Sequence, residues 1–203
     1  KSFEKNLFWW GWVIRVCYML FLYWFFDLMT GQPFMFSAAD AKGYHEEALW
    51  IADTIREGHF QTYLDYKFAP GKGVSDAGYP MYLGFVYLLF GDSIVIARLL
   101  KCLWSALTCV LIYKLAKRNF GEYVGRMAGI MMMLWPHFLV YCGMHLKETE
   151  MVFMMALFLE RADALLRYRN FSFKNIAIVI VLMASLFTFR SEERRVGKEC
   201  VMR

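Results

Sequence analysis

Asp40 lies in the stretch Ser37 to Gly58, just beyond the end of the first long apolar run. Asp40, Tyr44, Ala48 and Gly58 are spaced D-x3-Y-x3-A-x9-G and open an amphipathic helix outside the apolar segments. An ionisable carboxylate held at a membrane face between apolar segments marks a functional position. Asp40 or Ser37 can equally serve as the N-cap of the helix that runs through Trp50. A second acid, Glu148, follows Lys147 in the short polar loop His145 to Glu150. Opening a helix, Glu148 would equally complement the positive end of its dipole. Three cations fall where a basic side chain can reach a lipid headgroup: Lys72, Arg98 and Lys147. Arg98 is four residues into an apolar run, so snorkelling to the interface accounts for it as well.

The elements that position these residues belong to a membrane protein. Of 203 residues, 59% are hydrophobic and 19% aromatic, with a mean hydropathy of +0.36. A soluble domain of this length is far more polar. The net charge of +5 is modest and sits in short loops, which speaks for topology and against nucleic-acid binding. Cys17, Cys102, Cys109 and Cys142 fall in or at the ends of apolar segments and read as small hydrophobes. No C-x2-C or metal-spaced His pair occurs, so a zinc site is not expected.

The expected architecture is an all-α polytopic protein with about five transmembrane helices and juxtamembrane helices in a long first outer loop. Leu7 to Phe26 forms the first span, flanked by interfacial Trp and Tyr residues, with Arg15 snorkelling toward its N-terminal side. No signal-peptide cleavage pattern follows it, so it reads as a retained anchor. The outer loop covers 27–92. Within it, 44–57 sets Ala48, Ile51, Ala52 and Ile55 on one helical face, suited to lying on the membrane surface. Residues 62–75 read as a loop and 78–90 as a juxtamembrane or re-entrant helix, too short to span. Further spans are expected at 94–113, 124–141 (closing around Pro136), 151–166 and from 176 onward. If 78–90 does not cross, the basic clusters at 114–126 and 161–174 share the N-terminal side, as the positive-inside rule requires. Asp40, Glu148 and Glu150 then share the outer face.

Other polar residues carry bland expectations. Glu46 and Glu47 sit on a wetted face, and His45 and His59 lack partner spacing. His137 caps or lines a span end, Tyr79 and Tyr82 stack on sugar or, the leading reading, mark the interface, and Met131 to Met133 fill space.

Residues Arg190 to Cys200, RSEERRVGKEC, break abruptly with the apolar helix before them. They equal, letter for letter, the translation of a widely used sequencing-library adapter. The domain reading is therefore 1–189 as the N-terminal part of a transmembrane domain and 190–203 as a non-native tail. Without the tail the net charge falls to +3, from 18 basic and 15 acidic residues. The expectation is a truncated, inactive fragment of a longer protein.

The order of features resembles a known family. An apolar span is followed by D-x3-Y-x3-A, by Gly78-Tyr79-Pro80, by Phe90-Gly91-Asp92-Ser93 and by Ala97-Arg98-Leu99-Leu100. Then come Lys117-Arg118-Asn119-Phe120-Gly121, Trp135-Pro136 and Lys147-Glu148. This set resembles the N-terminal part of GT-C glycosyltransferases of the dolichyl-phosphate-mannose protein mannosyltransferase-like type, over most of residues 7–189. The resemblance implies a polyprenyl-phosphate-linked sugar as donor and transfer on the extracytoplasmic side. The expected setting is cell-envelope glycosylation at a bacterial cytoplasmic membrane, with a lipid, glycan or protein acceptor and membrane lipids as further partners. It places the family's essential acid at Asp40; the adjacent second acid common in the family is Ala41 here.

Such a transfer needs a base for the acceptor hydroxyl and cations for the departing phosphate. Asp40 is the expected base. A second acid would come from Glu46, Glu47 or the 148–150 loop, with Glu148 as the candidate; Lys72, Arg98 and Lys147 are the phosphate-binding candidates. No cofactor is expected, and a divalent metal is not favoured. Transfer would require an outward acid and a donor-sized apolar groove. A transporter or flippase would instead show paired charges near mid-membrane and repeated halves; no repeat is visible in the sequence. A non-catalytic membrane component is the third class.

Overall fold

The computed structural model describes residues 2–35, 39–67, 77–168 and 173–189. Lys72, Ser37 and the tail 190–203 lie outside them. Among the described residues there are nine helices and no strand. They are α1 (Ser2–Thr30), α2 (Ala39–Arg56), α3 (Phe60–Lys67), α4 (Gly78–Phe90), α5 (Ile94–Phe120), α6 (Glu122–Leu134), α7 (Pro136–Gly143), α8 (Glu148–Tyr168) and α9 (Phe173–Phe189).

Two of these, α1 and α5, are long and apolar enough to cross a membrane. At 27 residues, α5 reaches about 40 Å, more than a hydrocarbon core requires. It is the axis of the molecule and touches α1, α4, α6, α7 and α8. The apolar run after it is broken in two. Trp135 is extended (φ −61°, ψ 114°) and Pro136 opens α7, because a residue before proline is driven out of the helical region. The helix thus restarts at Pro136 instead of closing there. Broad apolar faces stay exposed on α1 (Trp9, Trp10, Phe21), α6 (Met131) and α9 (Ile180, Val181, Phe187), as in a chain that meets lipid.

The two ends of the bundle differ. At one end Arg118 pairs with Glu160 at 2.6 Å and Asp163 at 2.9 Å, tying α5 to α8. These acids, which weaken the hydropathy of α8, thereby acquire a cation. Phe3 at the start of α1 packs against Tyr113 at this end, the two rings tilted with centroids 5.1 Å apart. The opposite end gathers the close of α1, all of α2 and α4, the start of α5, the end of α7 and the start of α8.

Several local expectations change. The apolar face of α2 does not lie on a membrane surface: Ala48, Ile51 and Ala52 are fully buried against α4. Gly84 permits that contact, since a Cβ there would fall 2.7 Å from Ile51 Cγ2 and 3.3 Å from the Ala48 carbonyl. Residues 60–67 are helix, not loop; Tyr63 is buried and bonds Glu47 at 3.1 Å, and Lys67 pairs with Glu47 at 2.6 Å. Tyr79 is buried at 1% exposure, so it is no interfacial belt residue. Arg15 does not snorkel. It is wholly buried, donating to Ser105 Oγ, the Gly11 and Met132 carbonyls and Cys109 Sγ.

Candidate functional site

Arg98 and Lys101 lie one turn apart on α5, spaced so that both project from one face. Both are buried, at 2% and 1% exposure. Lys101 is well partnered. Its ammonium donates to the Met144 carbonyl at 2.9 Å and to the Leu146 carbonyl, and stands 3.6 Å from Glu150 Oε2. That last separation is an ion pair but exceeds hydrogen-bond reach, which leaves Oε2 without a hydrogen bond. Lys101 thus pins the loop between α7 and α8 onto α5. Burial lifts the Glu150 carboxyl from 4.5 to about 7, against the opposing pull of Lys101.

Arg98 differs. Nη2 donates to the Pro33 carbonyl, while Nε and Nη1 are buried with no hydrogen-bond partner. No carboxylate pairs with it among the described residues. Its guanidinium instead faces the rings of Tyr23 (5.8 Å) and Phe34 (6.0 Å). A charged group so enclosed costs several kcal/mol unless an anion or hydrogen-bond acceptor meets it. The snorkelling expectation for Arg98 therefore fails, because its head turns into the protein.

What Arg98 faces is a cleft of about 630 Å³ between the α1–α2 connection and α7, walled by Phe34, Pro136, Val140, Met144 and His145. Asp40 and His137 line the same cleft. Asp40 stands in the first turn of α2 rather than capping it, is exposed, and makes no hydrogen bond or ion pair among the described residues. The structure thus joins Asp40 and Arg98, which are 58 positions apart, at one cavity. It does not bring Lys147 and Glu148 into that wall. Lys147 Nζ sits 5.8 Å from the Tyr44 ring centroid, and Glu148 opens α8 with one carboxylate oxygen buried and unpartnered. Beyond Glu150, α8 and α9 enclose an apolar groove of about 420 Å³ lined by Met151, Met155, Phe158, Met183 and Phe187.

Three residues of the site had no signal in the sequence. Tyr87 Oη lies 2.8 Å from His45 Nδ1 and 3.2 Å from His145 Nε2. His45 therefore has partners, contrary to expectation, but they come from α4 and the α7–α8 loop. Burial lowers the pKa of His45, with Arg98 adding to it and Glu46 and Asp92 opposing. His145 is lowered much further, first by burial, then by Lys101, Arg98 and His45. Both rings are neutral at neutral pH. Cys102 and Cys142 also meet, with Sγ atoms 3.5 Å apart.

The arrangement offers an anion site at Arg98, a free carboxylate at Asp40 and a neutral polar wall between cations. No cluster of metal-ligating residues occurs among the described residues. A family model described as dolichyl-phosphate-mannose-protein mannosyltransferase matches residues 78–190, more than half of the chain. Arg98, Lys147 and Glu148 lie within the match; Asp40 and Lys72 lie before it. No curated protein and no solved structure matches.

Proposed function

Because the chain belongs to the dolichyl-phosphate-mannose-protein mannosyltransferase family, we propose that it acts as a GT-C membrane glycosyltransferase. It would move a sugar from a polyprenyl-phosphate donor to an acceptor hydroxyl on the extracytoplasmic face. The observation that carries this is the buried Arg98 guanidinium, whose Nε and Nη1 have no hydrogen-bond partner, at a cleft that Asp40 also lines. A phosphate in the cleft satisfies those donors with charge-assisted hydrogen bonds.

Chemistry follows from the two groups. The acceptor oxygen attacks the anomeric carbon as its proton passes to the Asp40 carboxylate. The carbon–oxygen bond to phosphate breaks, and Arg98 stabilises the charge that grows on the departing phosphate. Lys147 is the second cation of the reading, with Lys72 as a third, and side-chain cations take the neutralising role with no divalent ion. Glu148, one carboxylate oxygen unpartnered, orients the acceptor. The apolar groove between α8 and α9 offers a polyprenyl chain a surface. The orientation rests on charge: Lys117, Arg118 and Arg167 collect at the end away from the cleft, and the positive-inside rule puts that end in the cytoplasm. The helices then alternate as five passes, with α6 and α7 forming one.

Binding of a polyprenyl monophosphate to the protein in lipid nanodiscs tests the site, with transfer to an acceptor measured separately. Arg98→Gln is expected to weaken phosphate binding about tenfold or more, the loss of a charged hydrogen-bond pair. Asp40→Asn should leave binding intact and abolish transfer. Equal binding by wild type and Arg98→Gln would sink the proposal.

A further inference from the structure

Tyr87, His45 and His145 belong to none of the roles above, yet they form a hydrogen-bonded chain that leads into the cleft. A phenol has one proton to give and lone pairs to accept with. Two neutral imidazoles facing one phenolic oxygen cannot both receive that proton. One ring accepts it and the other donates its own N–H. The contacts of 2.8 Å at His45 Nδ1 and 3.2 Å at His145 Nε2 therefore couple the tautomers of two rings 100 positions apart.

The chain has two neutral states. In one, Tyr87 donates to His145 Nε2 and accepts from His45 Nδ1–H, so His145 carries its other proton on Nδ1 and His45 Nε2 is bare. In the other, every proton has moved one step, His145 Nδ1 is bare and His45 Nε2 is protonated. Passage between them moves one proton along the chain and leaves no ring charged. Neutrality matters here, since an imidazolium at His145 would face both Lys101 and Arg98 within a buried site. The ends are suitably placed: His145 lines the cleft with Arg98, and His45 is half-buried on α2, with Glu46 and Asp92 near it. Neither Nδ1 of His145 nor Nε2 of His45 has a partner among the described residues.

Building on the polyprenyl-phosphate reading, we infer that His45, Tyr87 and His145 are a proton relay whose inner end, His145 Nδ1, protonates the departing phosphate. The donor is a phosphodiester with one charge; its leaving group is a monoester whose second ionisation lies near pH 6, so it gains a site for a proton as the sugar departs. The step balances. The sugar–oxygen bond to phosphate breaks, the acceptor's proton goes to Asp40, and the phosphate oxygen takes the proton of His145 Nδ1. Tyr87 passes its hydroxyl proton to His145 Nε2, His45 Nδ1–H restores Tyr87, and His45 Nε2 takes a proton from solvent, to which Asp40 gives up the acceptor's proton.

The test reads the tautomers directly. The chain has four histidines, so ring-15N labelling with His→Gln assignment variants resolves each nitrogen. Spectra are taken in nanodiscs with a bound polyprenyl monophosphate, whose 31P signal reports occupancy. With phosphate bound, His145 should be protonated on Nδ1, and His45, which does not touch the ligand, should be protonated on Nδ1 and bare on Nε2. Tyr87→Phe should keep the His145 tautomer but release His45 from it. His45→Gln, which cuts the outer end on the exposed side, should keep phosphate binding and lose the solvent-isotope dependence of transfer. Phosphate bound with His45 Nδ1 bare, or His45 following the ligand in Tyr87→Phe, overturns the relay and leaves the phosphate site standing. If Arg98→Gln binds phosphate like wild type, the phosphate site and the relay fall together.

Discussion

Lys101→Met, Glu150→Leu and the double variant form a thermodynamic cycle that tests whether the α7–α8 loop is held by a buried ion pair. The two side chains are 1% and 8% exposed and 3.6 Å apart. At an effective dielectric constant near 20, that separation corresponds to about 4–5 kcal/mol of attraction. Desolvating both charges offsets most of this, so the intact pair adds little to stability. Removing one partner alone is costly, at about 3–5 kcal/mol, because the other charge stays buried. For a chain of this length each kcal/mol moves Tm by about 2–4 °C, so either single variant should melt roughly 6–20 °C lower in detergent. The double variant leaves no charge buried, so it should melt above either single variant and far above the sum of both losses, a coupling of about 3 kcal/mol or more. That coupling should fade with acid. Burial raises the Glu150 carboxyl from 4.5 to about 7, so folding favours its protonated form. Wild-type stability then rises as pH falls from about 7 toward 4.5, by about 3 kcal/mol in full, and the penalty is complete above 7. The cycle should therefore show strong coupling at pH 8 and weak coupling at pH 5.5. Additive losses at pH 8 would refute the pair as the loop's anchor.

Gly84→Ala should destabilise by about 1–3 kcal/mol, seen as a lower Tm, since its Cβ would press Ile51 and the Ala48 backbone. Gly43→Ala, on α2 and with nothing within 4 Å of an added Cβ, should instead stabilise by about 0.5–1 kcal/mol. Cys102 and Cys142 should cross-link under mild peroxide, two thiols giving one disulfide and two waters. Peptide mass spectrometry of the non-reduced protein should find the 102–142 pair, and should find no link through Cys109, whose sulfur takes a hydrogen bond from Arg15.

The all-helical, apolar character of the fold was legible along the chain. Apolar runs of spanning length, the basic clusters that alternate with them and the breaker Pro136 are local features, and each acts where it stands. Asp40 stands out in the sequence because a carboxylate at the close of an apolar run is conspicuous; that it shares a cleft with Arg98 is visible only in the structure. Arg98 was legible only as a cation near an interface; its inward turn depends on Pro33, Tyr23 and Phe34 lying across it. The face of α2 misled for a physical reason: one apolar stripe serves equally for lying on lipid and for packing on another helix, and the partner α4 begins 22 residues after α2 ends. His45, Tyr87 and His145 were invisible as a group, since separations of 42 and 58 positions carry no periodicity. Lys101 and Cys142 were hidden in the same way, the one inside an apolar run and the other at its edge. The sequence by itself determines how apolar each segment is and where charge collects along the chain, because hydropathy and charge act residue by residue. Only the tertiary structure decides which buried polar groups meet, because that depends on helices from different parts of the chain arriving at the same end of α5.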